Sequence, residues 1–156
     1  MSSVTAQIAD AVATELTSIQ AGEPPEHAFG LAFTPVRAWR PRYALKDLAE
    51  LKVTVCPSAF NLQFAARART QVEYGCEIAI QQKVEGGGDP AVDALAGLAE
   101  ELAEYWIGRR LDSPDAVCVA AGLAPESVRL FVPEHLDAEN LFTAVVALTF
   151  RRWEGT

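Results

Sequence analysis

From Val72 the apolar residues fall at every second position (Val72, Tyr74, Cys76, Ile78, Ile80), while Gln71, Glu73, Glu77 and Gln81 take the other parity. Side chains alternate across a strand, so this pattern predicts one long strand with a single buried face. About thirteen residues at roughly 3.4 Å each span about 44 Å. A compact chain of this size has a radius of gyration of about 15 Å, so the strand crosses the whole body or leaves it. Such a strand either bends or offers pairing groups to a neighbour, which places assembly ahead of catalysis. Gly86-Gly87-Gly88 then releases the chain, Asp89 is placed to cap a helix, and Pro90 takes the first helical position, where its missing N–H costs nothing. Val92, Leu95, Leu98, Leu102, Tyr105 and Trp106 form the buried stripe of that helix. Glu100, Glu101 and Glu104 lie on its solvated side, and Arg109 and Arg110 end it favourably for the helix dipole.

The same period opens the chain. Val4, Ile8, Val12, Leu16 and Ile19 make an amphipathic helix capped by Ser2 or Ser3 and stopped near Ala21-Gly22, with Pro24-Pro25 beyond. Phe29, Leu31 and Phe33 alternate as a strand that Pro35 interrupts, and Val36, Ala38 and Trp39 resume it with shifted parity, as at a bulge or sheet edge. After the Arg40-Pro41-Arg42-Tyr43 loop, Leu45, Leu48 and Leu51 suggest a helical turn before a short strand, Lys52 to Cys56, closed by Pro57. Ser58 to Ala66 then reads as a connection with exposed aromatics, Phe60 and Phe64. Weaker strands are expected at Ala116 to Ala121 and Ser127 to Val132, and a second long one at Leu141 to Trp153, with Phe142, Val146, Leu148 and Phe150 on one parity. The two long strands invite antiparallel pairing. The expected order α-β-β-β-α-β-β describes a single α+β domain over residues 1–156, a mostly antiparallel sheet carrying two main helices on one face.

Composition supports a globular body: 156 residues, half of them hydrophobic, are enough to bury a core without staples. No stretch approaches the roughly twenty apolar residues that cross a bilayer, and Met1 to Gln20 lacks the basic start of a signal peptide, so a soluble protein is expected. Cys56, Cys76 and Cys118 are odd in number, widely spaced and set in apolar runs, which makes them small buried hydrophobes in a reducing compartment. The net charge of -8 is unevenly spread. Arg37 to Arg69 holds seven of the thirteen basic residues against Asp47 and Glu50, giving +5 there and -13 elsewhere. Opposite charges at separate places suit head-to-tail association or a charged partner, and the acidic total disfavours a nucleic-acid grip.

Chemistry is sparse. Gly86-Gly87-Gly88 before a helix resembles a phosphate cradle, but no Lys-Ser/Thr follows and Asp89 occupies the place of an anion. His27 and His135 have no second ligand at helical spacing, so no metal site is expected. No serine sits in a nucleophile elbow and no cysteine has an activating histidine near it in sequence, so no enzyme and no cofactor are expected. The positive signals are VRAWRPRY, residues 37 to 43 above all, and the Arg67/Arg69 pair, because Arg, Trp and Tyr dominate protein interfaces.

The leading helix, the aromatic-rich first strand, DLAELKVTVCP, ARARTQVEYGCEIAIQQKV, a helix ending near Gly108-Arg109-Arg110-Leu111 and the final LFTAVVALTFRRW together resemble the tail terminators among the tail-completion proteins of long-tailed phages and prophages. That resemblance implies an α+β subunit of a hexameric ring that caps the tail tube, stops its polymerisation and presents the head-joining surface. It places the protein at the head-proximal end of the virion tail, and in the host cytoplasm during assembly. Its implied partners are copies of itself, the tail tube protein and the head-tail connector, with DNA passing through the channel unbound and no membrane. Arg37, Trp39, Arg40, Arg42, Tyr43, Arg67, Arg69, Gly86, Gly87 and Gly88 are then the candidate interface residues. A head-tail connector or neck protein is the nearest alternative, and a small-molecule binding domain or motif-free enzyme a more distant one.

Overall fold

A computed structural model describes residues 3–22, 28–67, 69–84, 89–123, 132, 135–136 and 140–155. They form two α-helices, α1 (Val4–Gln20) and α2 (Asp89–Trp106), and six strands: β1 (Pro35–Arg37), β2 (Lys52–Ala66), β3 (Arg69–Lys83), β4 (Arg110–Asp112), β5 (Asp115–Leu123) and β6 (Leu141–Gly155). A short 3-10 helix at Leu45–Ala49 supplies the expected helical turn. The strands make one sheet in the order β1-β2-β3-β6-β5-β4, antiparallel throughout except for β1, which runs parallel to β2. The architecture is α+β, as the periodicities indicate.

Helix α1 is fixed at both ends. The Ser3 hydroxyl accepts from the Ala6 N–H at 3.0 Å. At the other end, Gly22 takes φ 84°, a left-handed conformation glycine adopts without steric cost, and its N–H returns to the Ile19 carbonyl. Ile8, Val12, Leu16 and Ile19 are buried, each contributing about 1.5–3 kcal/mol of apolar transfer. Leu95, Leu98, Leu102 and Trp106 of α2 join the same core, where both helices meet Val53, Val55, Ile78, Ile80, Val146 and Phe150 from the sheet. Trp106 lies edge-on to Phe150 with ring centroids 5.9 Å apart.

β3 pairs with β6 without interruption from Arg69↔Gly155 to Lys83↔Leu141, and with β2 from Lys52↔Gln81 to Ala66↔Arg69. The long strand foreseen from Val72 is therefore interior to the sheet, with both its edges occupied by strands of equal length. It offers no ladder groups to another chain, and the exposed edge belongs to β2. β2 itself does not stop at Pro57. Proline is tolerated on an edge strand or at a bulge, and here both conditions hold: the register slips between Pro57 and Ala59, opposite Gly75. A Cβ on Gly75 would stand 2.8 Å from the Ala59 Cβ and 2.9 Å from its backbone N, so glycine makes room for the bulge.

Phe29 to Phe33 does not form a strand. Its donors go to helix side chains instead: the Gly30 N–H to Glu101 Oε2 at 2.9 Å and the Phe33 N–H to Gln20 Oε1 at 2.9 Å. Glu101 is thus engaged, unlike the solvated Glu100 and Glu104. α2 ends at Trp106, and Arg110 opens β4, a strand too short to show a periodicity. The expected strand at Ser127 to Val132 lies outside the described residues except for Val132, whose N–H donates to the Thr143 carbonyl at 2.8 Å. No described helix is long and apolar enough to cross a membrane.

Candidate assembly interface

Among the described residues the outer half of β2 has no strand beside it. β1 reaches only Val55, and among the described residues nothing pairs with the free edge from Cys56 to Ala66. Phe60, Leu62 and Phe64 stand opposite Tyr74, Val72 and Thr70, on the face that carries the helices farther along. Beyond the helices no described element covers that face, and the three side chains are 59%, 53% and 81% exposed. Two of their β3 neighbours, Val72 and Tyr74, remain buried: Tyr74 has Phe60 at 5.7 Å on one flank and the Arg152 guanidinium at 5.6 Å over its ring. The result is an arm of β2, β3 and β6 with an apolar row along an open edge and Arg67 at its turn.

The opposite face of the arm is polar and charged. Arg69 stacks on the half-exposed Trp153 at 5.2 Å, Arg151 reaches Glu73 Oε1 at 3.1 Å, and Gln71 donates to Glu73 at 2.8 Å. Beside the arm, on this face, β4 and β5 complete a cleft of about 610 Å³ lined by Arg69, Arg110, Arg151, Arg152, Trp153 and Val119, among others. Arg110 is held by Asp115 at 2.8 Å with both side chains about two-thirds exposed, and that bond holds the Asp115 carboxyl below its ordinary range. The Arg151 Nε is buried with no hydrogen-bond partner among the described residues.

The expected basic segment is divided in space. Arg37 lies beside Val55, whereas Arg69 lies across from Ala66, eleven residues farther along β2 and about 35 Å away at the usual strand rise. Arg37 is already engaged, donating to Asp10 Oδ1 at 2.8 Å and lying 5.4 Å from the Trp39 ring. Trp39 is 65% exposed, Arg40 and Arg42 are exposed without an ion pair to a described residue, and Tyr43 lies under Lys52 at 5.6 Å. Arg67 and Arg69 belong to the other group, and Gly86, Gly87 and Gly88 lie outside the described residues. Arg110, Arg151 and Arg152 are not among the interface residues expected from the sequence, although the RRW at the end of the last long strand is a visible signal.

All three cysteines are free thiols in the interior. Burial pushes Cys56 and Cys118 up to about 11 and raises Cys76 further. Tyr105 is also raised, first by burial and then by donating to Glu15 at 2.7 Å, a carboxylate that Arg109 also binds at 3.0 Å. Among the described residues no three His, Cys, Asp or Glu side chains converge as a metal site, and His135 instead shares a 2.9 Å hydrogen bond with Thr143. No protein-family model matches the chain, and no curated protein does.

Proposed function

We propose that this chain is a structural assembly subunit, a tail terminator that closes a phage-type tail tube as a ring and carries no catalytic activity. The observation that carries this reading is the arm: a sheet that outruns its helices and leaves Phe60, Leu62 and Phe64 exposed along an edge that no described strand pairs with. An open apolar edge is a hazard for a lone monomer and an asset for a subunit whose neighbour covers it. Two of the described cavities, the arginine cleft and a groove between α1 and β4, are lined largely by charged and polar side chains, which suits macromolecular contact better than a small apolar ligand.

The test is direct. Purified protein is sized in solution and then mixed with tail tubes under negative stain. The reading expects rings, tube ends capped by them, and tubes that stop lengthening when the protein is present. Protein that stays monomeric at high concentration and leaves tube growth unchanged would sink it. Rings that bind the head-side connector but do not arrest tube growth would move the assignment to the neck.

A further inference from the structure

We propose that the arginine cleft of one copy receives the outward face of α2 from a second copy, so that the chain associates head to tail. The two surfaces lie on opposite sides of the molecule. α2 covers one face of the sheet, while Arg69, Arg151 and Trp153 stand on the other. Patches placed that way cannot meet within one chain, and between copies they make a heterologous contact, which closes into a ring or runs on as a filament.

Charge decides the occupant. On the outward face of α2, Asp93, Glu100 and Glu104 are exposed and make no ion pair with a described residue. Glu100 and Glu104 are one helical turn apart, so their carboxylates point the same way and match a pair of guanidiniums. Between them and Asp93 lies Gly97, where a Cβ would meet nothing within 4 Å. Glycine is the poorest helix former apart from proline, and nothing around Gly97 among the described residues requires it. A helix with such a notch admits a close neighbour, and the cleft presents Trp153 and Val119, 49% and 37% exposed, beside its arginines. Nucleic acid is the poorer occupant, because Glu73 and Asp115 stand among those arginines and the chain totals -8.

This pairing rests on the ring reading only as its subunit contact, and it is tested without tail tubes. Sedimentation equilibrium is run on the wild type, on Glu100→Lys/Glu104→Lys and on Arg69→Glu/Arg110→Glu, with circular dichroism confirming that each is folded. Each variant alone should associate at least about tenfold more weakly than wild type, and an equimolar mixture of the two should recover association, since each then offers the other a complementary surface. Gly97→Leu, placed in open space, should weaken association while leaving the thermal midpoint unchanged or raised. A monomeric wild type, association indifferent to both reversals, or a folded pair that fails to recover on mixing would overturn the proposal. So would retention of duplex DNA that Arg69→Glu/Arg110→Glu loses while self-association persists, which would give the cleft to phosphate. Recovery on mixing with no capping of tubes would leave the contact standing and remove the terminator role.

Discussion

Gly75 is the residue on which the arm turns. The bulge at Ser58 brings the Ala59 backbone within 2.9 Å of where a Cβ would sit, and a backbone atom in a ladder cannot swing away as a side chain can. Gly75→Ala should therefore lose about 1–3 kcal/mol of stability, the usual range for overpacking, read as a lower denaturant midpoint with an unchanged slope. An unchanged midpoint would mean the bulge relaxes freely. The thiols make a second case. Cys56 and Cys118 hold their protons to about 11, above the ordinary value of 9.0, so the unfolded chain releases protons first as pH rises. Their contribution is complete below about pH 9 and is lost as pH climbs toward 11, with Tyr105 acting in the same sense. Thermal midpoints should hold from neutral pH to about 9 and fall above it, and a thiol reagent at pH 8 should label the protein only after denaturation. Rapid labelling of the native protein would contradict the burial of all three cysteines.

At the scale of elements, what was legible followed from period. Ile8 to Ile19, Leu95 to Trp106 and Phe142 to Phe150 keep a single period from end to end, and α1, α2 and β6 were readable for that reason. β2 breaks its own period. Val53 and Val55 face the core on odd positions, the slip between Pro57 and Ala59 reverses the parity, and Phe60, Leu62 and Phe64 continue the same face on even ones. Read without the bulge, the two halves look like a strand and a loop, although the exposure of Phe60 and Phe64 was still visible. The Phe29-Leu31-Phe33 alternation misled for the opposite reason: Gln20 and Glu101, distant in sequence, take donors that a strand would have used in a ladder. The charge run from Arg37 to Arg69 was real in sequence, yet β2 carries its two ends apart. The arm itself is testable as an element. Leu62→Thr and Phe64→Ser lie on an exposed edge, so monomer stability should move by no more than about 0.5 kcal/mol. Under the proposed function the same changes should abolish tube capping. Variants that cap tubes as well as wild type would leave the apolar row without a role.

For the whole molecule, the two proposed contacts between copies, one charged and one apolar, predict opposite responses to salt. Association through arginines and carboxylates is screened as the Debye length shrinks from about 10 Å at 0.1 M to about 3 Å at 1 M salt. Contact through the apolar row responds the other way, since excluded salts such as sulfate strengthen burial. Within one chain the described ion pairs are partly or largely exposed and the core is apolar, so folding stability should change little over the same range. If the cleft and the outward face of α2 make the principal contact, sodium chloride should weaken self-association steadily while the thermal midpoint stays nearly level. Arg69→Glu/Arg110→Glu should then abolish that dependence. Association that strengthens with salt would instead assign the principal contact to Phe60, Leu62 and Phe64, with the arginines steering approach and the open edge of β2 supplying the hold.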